Sequence, residues 1–141
     1  MKFANLEDKG EDMSMQFSVS DIFEADVETL YNAWLDSRVH SDMTGGKAEV
    51  SNVEKASFTA WDGYISGSNV SLVPQKRIVQ HWRTTEFSDD EPDSLIEVEF
   101  SSEETGTRVT IHHSQLPPHG MQYKQGWVDA YFTPMHAYFK K

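Results

Sequence analysis

Polar and apolar residues alternate from Met15 onward. Met15, Phe17 and Val19 fall on one side and Gln16, Ser18 and Ser20 on the other, which predicts a half-buried strand. Val27, Leu30, Tyr31 and Trp34 then recur at helical spacing behind Asp26, a carboxylate suited to accept from the free backbone N–H groups of a first turn. A second short helix is expected from Asp36 or Ser37 to Met43, ended by Gly45-Gly46. Short strands are expected over 48–52 and 57–61, with a hairpin at Asp62-Gly63. The strand at 64–73 carries Gly67 in its middle, the mark of a bulge or a close approach. A strand over 77–85 and an acidic loop at 88–93 come next. In the strand over 94–101, Ile96, Val98 and Phe100 face inward, with Glu97 and Glu99 toward water. Glu104-Thr105-Gly106 turns the chain into a return strand with Val109 and Ile111 inward. Adjacent short strands joined by hairpin turns mean an antiparallel meander.

After the loop at 116–120, Trp127, Val128, Tyr131, Phe132, Met135, Tyr138 and Phe139 form one broad apolar face of a helix, in which Pro134 should make a kink or open a turn. A lone long amphipathic helix needs a sheet to cover it. The fold class is therefore α+β: a curved antiparallel sheet of about six or seven strands wrapped around a long C-terminal helix, with two short helices after the first strand. Such a concavity is seldom filled completely, so a pocket between sheet and helix is expected. Residues 1–14 are polar and mixed in charge and read as a flexible lead, and 15–141 as a single domain without repeat or linker.

A chain of 141 residues is long enough to bury a core without staples, and it has no cysteine, which excludes disulfides, thiolate zinc sites and cysteine nucleophiles. The first residues contain no apolar signal segment, and no stretch approaches a membrane span, so a cytoplasmic protein is expected. The net charge of −11, from 23 acidic against 12 basic residues, repels phosphate backbones and anionic lipid and argues against nucleic acid or membrane as a partner.

Catalytic and metal signatures are weak. His112 and His113 are adjacent on a strand and point to opposite faces, so they cannot share a metal. His113 lies on the face of Val109 and Ile111. No acid can be assigned to orient it as a general base, and a hydrogen-bonded core histidine is the plainer reading. The pairs His40 with Asp42 and His113 with His119 have no recognised metal spacing. Gly45-Gly46-Lys47 lacks the rest of a phosphate loop, and no G-x-S-x-G elbow occurs. No metal, cofactor or catalytic group is assigned. Trp82 and Trp127 suit either ligand stacking or core packing, and the pattern leaves open whether Trp82 and Gln80 face inward.

Three blocks carry a family resemblance. The first is Phe23-Glu24-Ala25 with Leu30-Tyr31-Asn32-Ala33-Trp34-Leu35-Asp36. The second is Phe58, Asp62-Gly63-Tyr64-Ile65-Ser66-Gly67 and Ile78-Val79-Gln80-His81-Trp82-Arg83. The third runs from His113 to Pro117, then Tyr123, Gly126-Trp127, Tyr131-Phe132, Pro134-Met135 and Tyr138-Phe139. In order and spacing the chain resembles the activator-of-heat-shock-chaperone-ATPase homologue family, a branch of the START-like (SRPBCC) superfamily. It departs from the family before Phe58, where Glu54-Lys55-Ala56-Ser57 stand in place of a common glycine.

The resemblance implies a helix-grip fold and three functional classes. The first is a binding protein holding a small hydrophobic ligand between the sheet and the C-terminal helix, with Phe58, Ile65, Trp82, Phe100, His113, Tyr131 and Met135 as cavity candidates. The second is a co-chaperone-like stimulator of a heat-shock chaperone ATPase, although no separate N-terminal docking domain of the kind known stimulators carry is legible in the sequence. The third is a cyclase- or hydrolase-like enzyme in the same pocket, for which no acid–base pair is found. Neither ligand identity nor oligomeric state follows from the sequence.

Overall fold

The alternation at Met15 becomes strand β1 (Met15–Phe23) in the computed structural model, which describes residues 15–140. The lead expected over 1–14 lies outside the described residues. Two helices follow, α1 (Val27–Trp34) and α2 (Ser37–Thr44). Asp26 and Asp36 cap them, each carboxylate accepting from the backbone N–H three residues on, of Thr29 at 2.8 Å and Val39 at 2.9 Å. Gly45 ends α2 with φ 92°, a left-handed conformation that costs glycine little.

The meander comprises β2 (Ser57–Ala60), β3 (Ile65–Val73), β4 (Arg77–Thr84), β5 (Ser94–Glu103) and β6 (Gly106–Leu116). All neighbours pair antiparallel in the order β1-β6-β5-β4-β3-β2, so the first strand closes onto the last. The strand expected over 48–52 is absent; that stretch makes a single bridge, Glu49 to Thr59, and is otherwise irregular. Side chains hold it where a ladder would. Asn69 sits where β3 shifts register, and its amide donates to the carbonyls of Ser51 and Val53. Gln80 donates to Asn69 at 2.9 Å in turn. This settles the face of β4: Ile78, Gln80, Trp82 and Thr84 all point inward and are buried. Gly67 marks a close approach, since a Cβ there would lie 1.8 Å from the His81 carbonyl oxygen and 2.9 Å from the Phe58 ring.

The C-terminal helix runs over 122–139 as α3 (Gln122–Trp127), a π turn (Val128–Phe132) and α4 (Thr133–Phe139). The break expected at Pro134 takes the form of this wide turn, in which the N–H of Thr133 bonds back to the Val128 carbonyl. A proline ring crowds the carbonyl four residues earlier, that of Ala130, and widening the turn that holds Ala130 relieves the contact. Trp127, Tyr131, Phe132 and Met135 are buried against the sheet and the helix pair, whereas Tyr138 is exposed.

Candidate functional site

Sheet and C-terminal helix part at one end, leaving a cleft of about 340 Å³. Its floor is Ile65, Trp82, Tyr123, Trp127 and Tyr131, all buried, and its rim includes Trp61 and Tyr64, which are half-buried. Six aromatic rings therefore bound one small space. A larger depression of about 810 Å³ beside the turn between β3 and β4 is lined mainly by polar side chains such as Lys76, Arg77, Glu99 and Ser101, with no converging set of functional groups.

The β2–β3 hairpin builds the rim. Trp61, Asp62 and Gly63 have successive positive φ of 50°, 59° and 89°, so two side-chain-bearing residues are held in the left-handed region. The tight reversal throws Trp61 and Tyr64 to the same mouth. Trp61 packs on Gly46, where a Cβ would fall 2.4 Å from Cε3 of the indole. Its N–H is the single buried side-chain polar atom without a partner among the described residues. Tyr64 donates its hydroxyl to Glu86, and Thr84 Oγ1 lies 2.6 Å from the Tyr123 hydroxyl. Burial, then the Glu86 hydrogen bond, raises the Tyr64 pKa, and burial raises that of Tyr123.

Two buried histidines lock the floor from behind. Trp127 Nε1 can only donate, and it does so to His113 Nδ1 at 3.0 Å; the His113 Nε2–H therefore donates to Ser94 Oγ at 2.9 Å, and Ser94 donates to the Trp82 carbonyl at 2.7 Å. Phe17, Trp82, Tyr123 and Trp127 surround the imidazole, and burial lowers its pKa to about 3. His40 works in the same way. Its Nδ1–H donates to the Trp34 carbonyl at 2.8 Å, so Nε2 accepts from the Tyr131 hydroxyl at 2.8 Å. Burial lowers its pKa to about 4 and raises that of Tyr131. Both imidazoles are neutral at pH 7 with both nitrogens engaged, which leaves neither a free lone pair for proton abstraction. They fix the orientation of Trp127, Trp82 and Tyr131.

Of the residues expected to line a cavity, Ile65, Trp82 and Tyr131 meet at the cleft. Phe58, Phe100, His113 and Met135 do not line it. Phe58 is buried across from Gly67, Phe100 packs edge-on to Tyr31 at 5.6 Å, His113 stands behind the tryptophans, and Met135 is 1% exposed in the core. Trp61, Tyr64 and Tyr123 line the cleft as well, although they are not among the cavity candidates expected from the sequence. The hairpin Trp61-Asp62-Gly63-Tyr64, a turn signal flanked by two aromatics, was the available cue. His40, whose role is to hold Tyr131, carried no local cue.

Among the described residues no group of three or more His, Asp or Glu side chains converges as a metal site, and no helix is long and apolar enough to cross a membrane.

An HSP90 activator from Plasmodium falciparum has a similar structure, with a TM-score of 0.78 and 22% identity over 88% of this chain and 95% of that one. A protein from Mesorhizobium loti superposes with a TM-score of 0.74 at 16% identity, over 87% and 95% of the two chains. The Aha1 dimer from Colwellia psychrerythraea gives 0.74 at 13% identity, over 89% and 97%. These likenesses establish the helix-grip fold. No curated protein matches the sequence. The profile of the family described as "Activator of Hsp90 ATPase homolog 1-like protein" matches residues 24–140, and the chain belongs to that family.

Proposed function

We propose that this protein binds a small hydrophobic molecule in the cleft between the sheet and the C-terminal helix. The observation that carries the reading is the convergence of Trp61, Tyr64, Trp82, Tyr123, Trp127 and Tyr131 on one space of about 340 Å³, a volume suited to a small organic ligand. Three features support it. The floor is preorganised, because the His113 and His40 hydrogen bonds fix the rings before any ligand arrives. Tyr131 and Ala130 reach the cleft from a π turn, a helix irregularity common at functional sites. The hairpin at the rim holds Trp61 and Asp62 in the left-handed region, a tight reversal that brings Trp61 and Tyr64 to the mouth. Native mass spectrometry of gently purified protein tests the reading, together with thermal shifts against a panel of lipids and aromatic compounds. Excess mass or a dose-dependent stabilisation is expected. A clean apo mass with no stabilising compound overturns it.

A second reading, stimulation of a heat-shock chaperone ATPase, is favoured by the family and by the likeness to the Plasmodium falciparum HSP90 activator. Its test is the chaperone's ATP hydrolysis rate with and without this protein; an unchanged rate overturns it.

A further inference from the structure

We propose that the cleft selects an organic cation, an alkyl- or arylammonium whose charged head lies among the rings at the Tyr64–Tyr123 end with Glu86 as its counter-charge. This rests on the ligand-binding reading above and adds the sign of the ligand. Aromatic faces carry negative quadrupole charge, and several rings around one space form the arrangement that holds quaternary ammonium groups. Six rings meet here, three of them indoles, the best of the cation-binding rings.

The polar groups agree with that sign. The indole N–H of Trp127 and the hydroxyl of Tyr131 are turned inward to His113 and His40, so these donors of the floor are withdrawn from a ligand. The other donors of the lining, the indole N–H groups of Trp61 and Trp82 and the amide of Gln122, carry no charge. At the rim the Tyr64 hydroxyl is committed to Glu86, beside the Thr84–Tyr123 hydroxyl pair. Glu86 is exposed and makes no ion pair with a described residue, so its charge is available one hydrogen bond beyond the lining. Among the described residues no lysine, arginine or histidine lines the cleft. Arg83, next to Trp82 in sequence, points to the opposite face, where it pairs with Asp93 at 2.9 Å and bonds the carbonyls of Ser88 and Glu91. Lys47, which is hydrogen-bonded through its backbone to Asp62 of the rim hairpin, directs its amine to Glu49 at 3.5 Å. A net charge of −11 adds a long-range field that draws cations and repels anions.

The test compares benzyltrimethylammonium with its uncharged isostere neopentylbenzene and with benzenesulfonate, by tryptophan fluorescence titration at low and physiological salt. The cation is expected to bind about tenfold more tightly than the isostere, in line with a desolvated cation–π site, and the sulfonate most weakly. Glu86→Gln should weaken the cation a few-fold and leave the isostere unchanged, with the difference shrinking in salt. Equal or tighter binding of the isostere or of the sulfonate overturns the inference, yet leaves the cleft a ligand site. Failure of all three probes also overturns it, and the lipid and aromatic panel then decides separately whether the ligand-binding reading stands.

Discussion

Acidification from pH 7 to pH 5 should destabilise this protein by about 4 kcal/mol, through two histidines. His113 and His40 are buried neutral, and burial lowers their pKa values from 6.5 to about 3 and about 4. In the unfolded chain both titrate near 6.5, so between that value and the folded pKa the unfolded state binds more protons, and stability rises with pH across this window. Run downward, the loss begins near pH 6.5, grows by about 1.4 kcal/mol per pH unit for each group, and levels off below pH 4 to 3. At pH 5 each histidine has therefore removed about 2 kcal/mol, a large share of a typical total of about 5–15 kcal/mol. Urea unfolding followed by far-UV circular dichroism at pH 7, 6 and 5 reads this as a fall in midpoint of about 2 M for an m-value near 2 kcal/mol/M. The lowered pKa of Asp21 acts below its ordinary value of 3.8, outside the assay. His113→Gln keeps an acceptor for Trp127 and a donor for Ser94 but cannot titrate, so it should halve the pH-dependent loss whatever it costs at pH 7. A wild-type midpoint that stays flat from pH 7 to 5, or a His113→Gln protein with the full slope, would refute the reasoning.

Two further substitutions probe the scaffold around the cleft. Gly46→Ala places a Cβ 2.4 Å from the Trp61 ring, so it should cost about 1–3 kcal/mol and shift the tryptophan emission as the indole is displaced, whereas unchanged stability and emission would mean that Gly46 does not seat Trp61. Asp36→Ala removes the side chain that caps α2 through Val39 and should lower stability by about 1 kcal/mol in thermal unfolding, with ligand affinity unaffected because the cap lies away from the cleft.

Where a local rule governs, the sequence was a reliable guide. Asp26 caps a helix because a carboxylate before an apolar 3.6-residue period has few other local uses, and Ile96, Val98 and Phe100 face inward because alternation leaves no other choice. The stretch at 48–52 misled for the same reason: its alternation is real, but Asn69 and Gln80 bond its neighbourhood through side chains, and those bonds join residues far apart in sequence. The face of Trp82 was undecided because an inward Gln80 reads as polar until Asn69 and Trp34 are placed beside it.

The candidate site divides along the same line. Ile65, Trp82 and Tyr131 were legible as inward residues on a strand or helix near the expected pocket. Phe58, Phe100 and Met135 satisfied the same criterion, and burial alone could not separate core filling from cleft wall. What periodicity and turn chemistry determined is the order of most elements, the inward faces of β5, β6 and the C-terminal helix, and the α+β class, since these follow from short-range sterics and the burial of apolar stripes; the helix-grip architecture came with the family resemblance. What only the tertiary structure decided is where the packing stops short: the left-handed hairpin that carries Trp61 and Tyr64 to one mouth, and the imidazoles of His113 and His40 that orient the floor rings through partners 14 to 91 residues away. A cavity is a property of how surfaces fail to meet, and no single stretch of chain contains both surfaces.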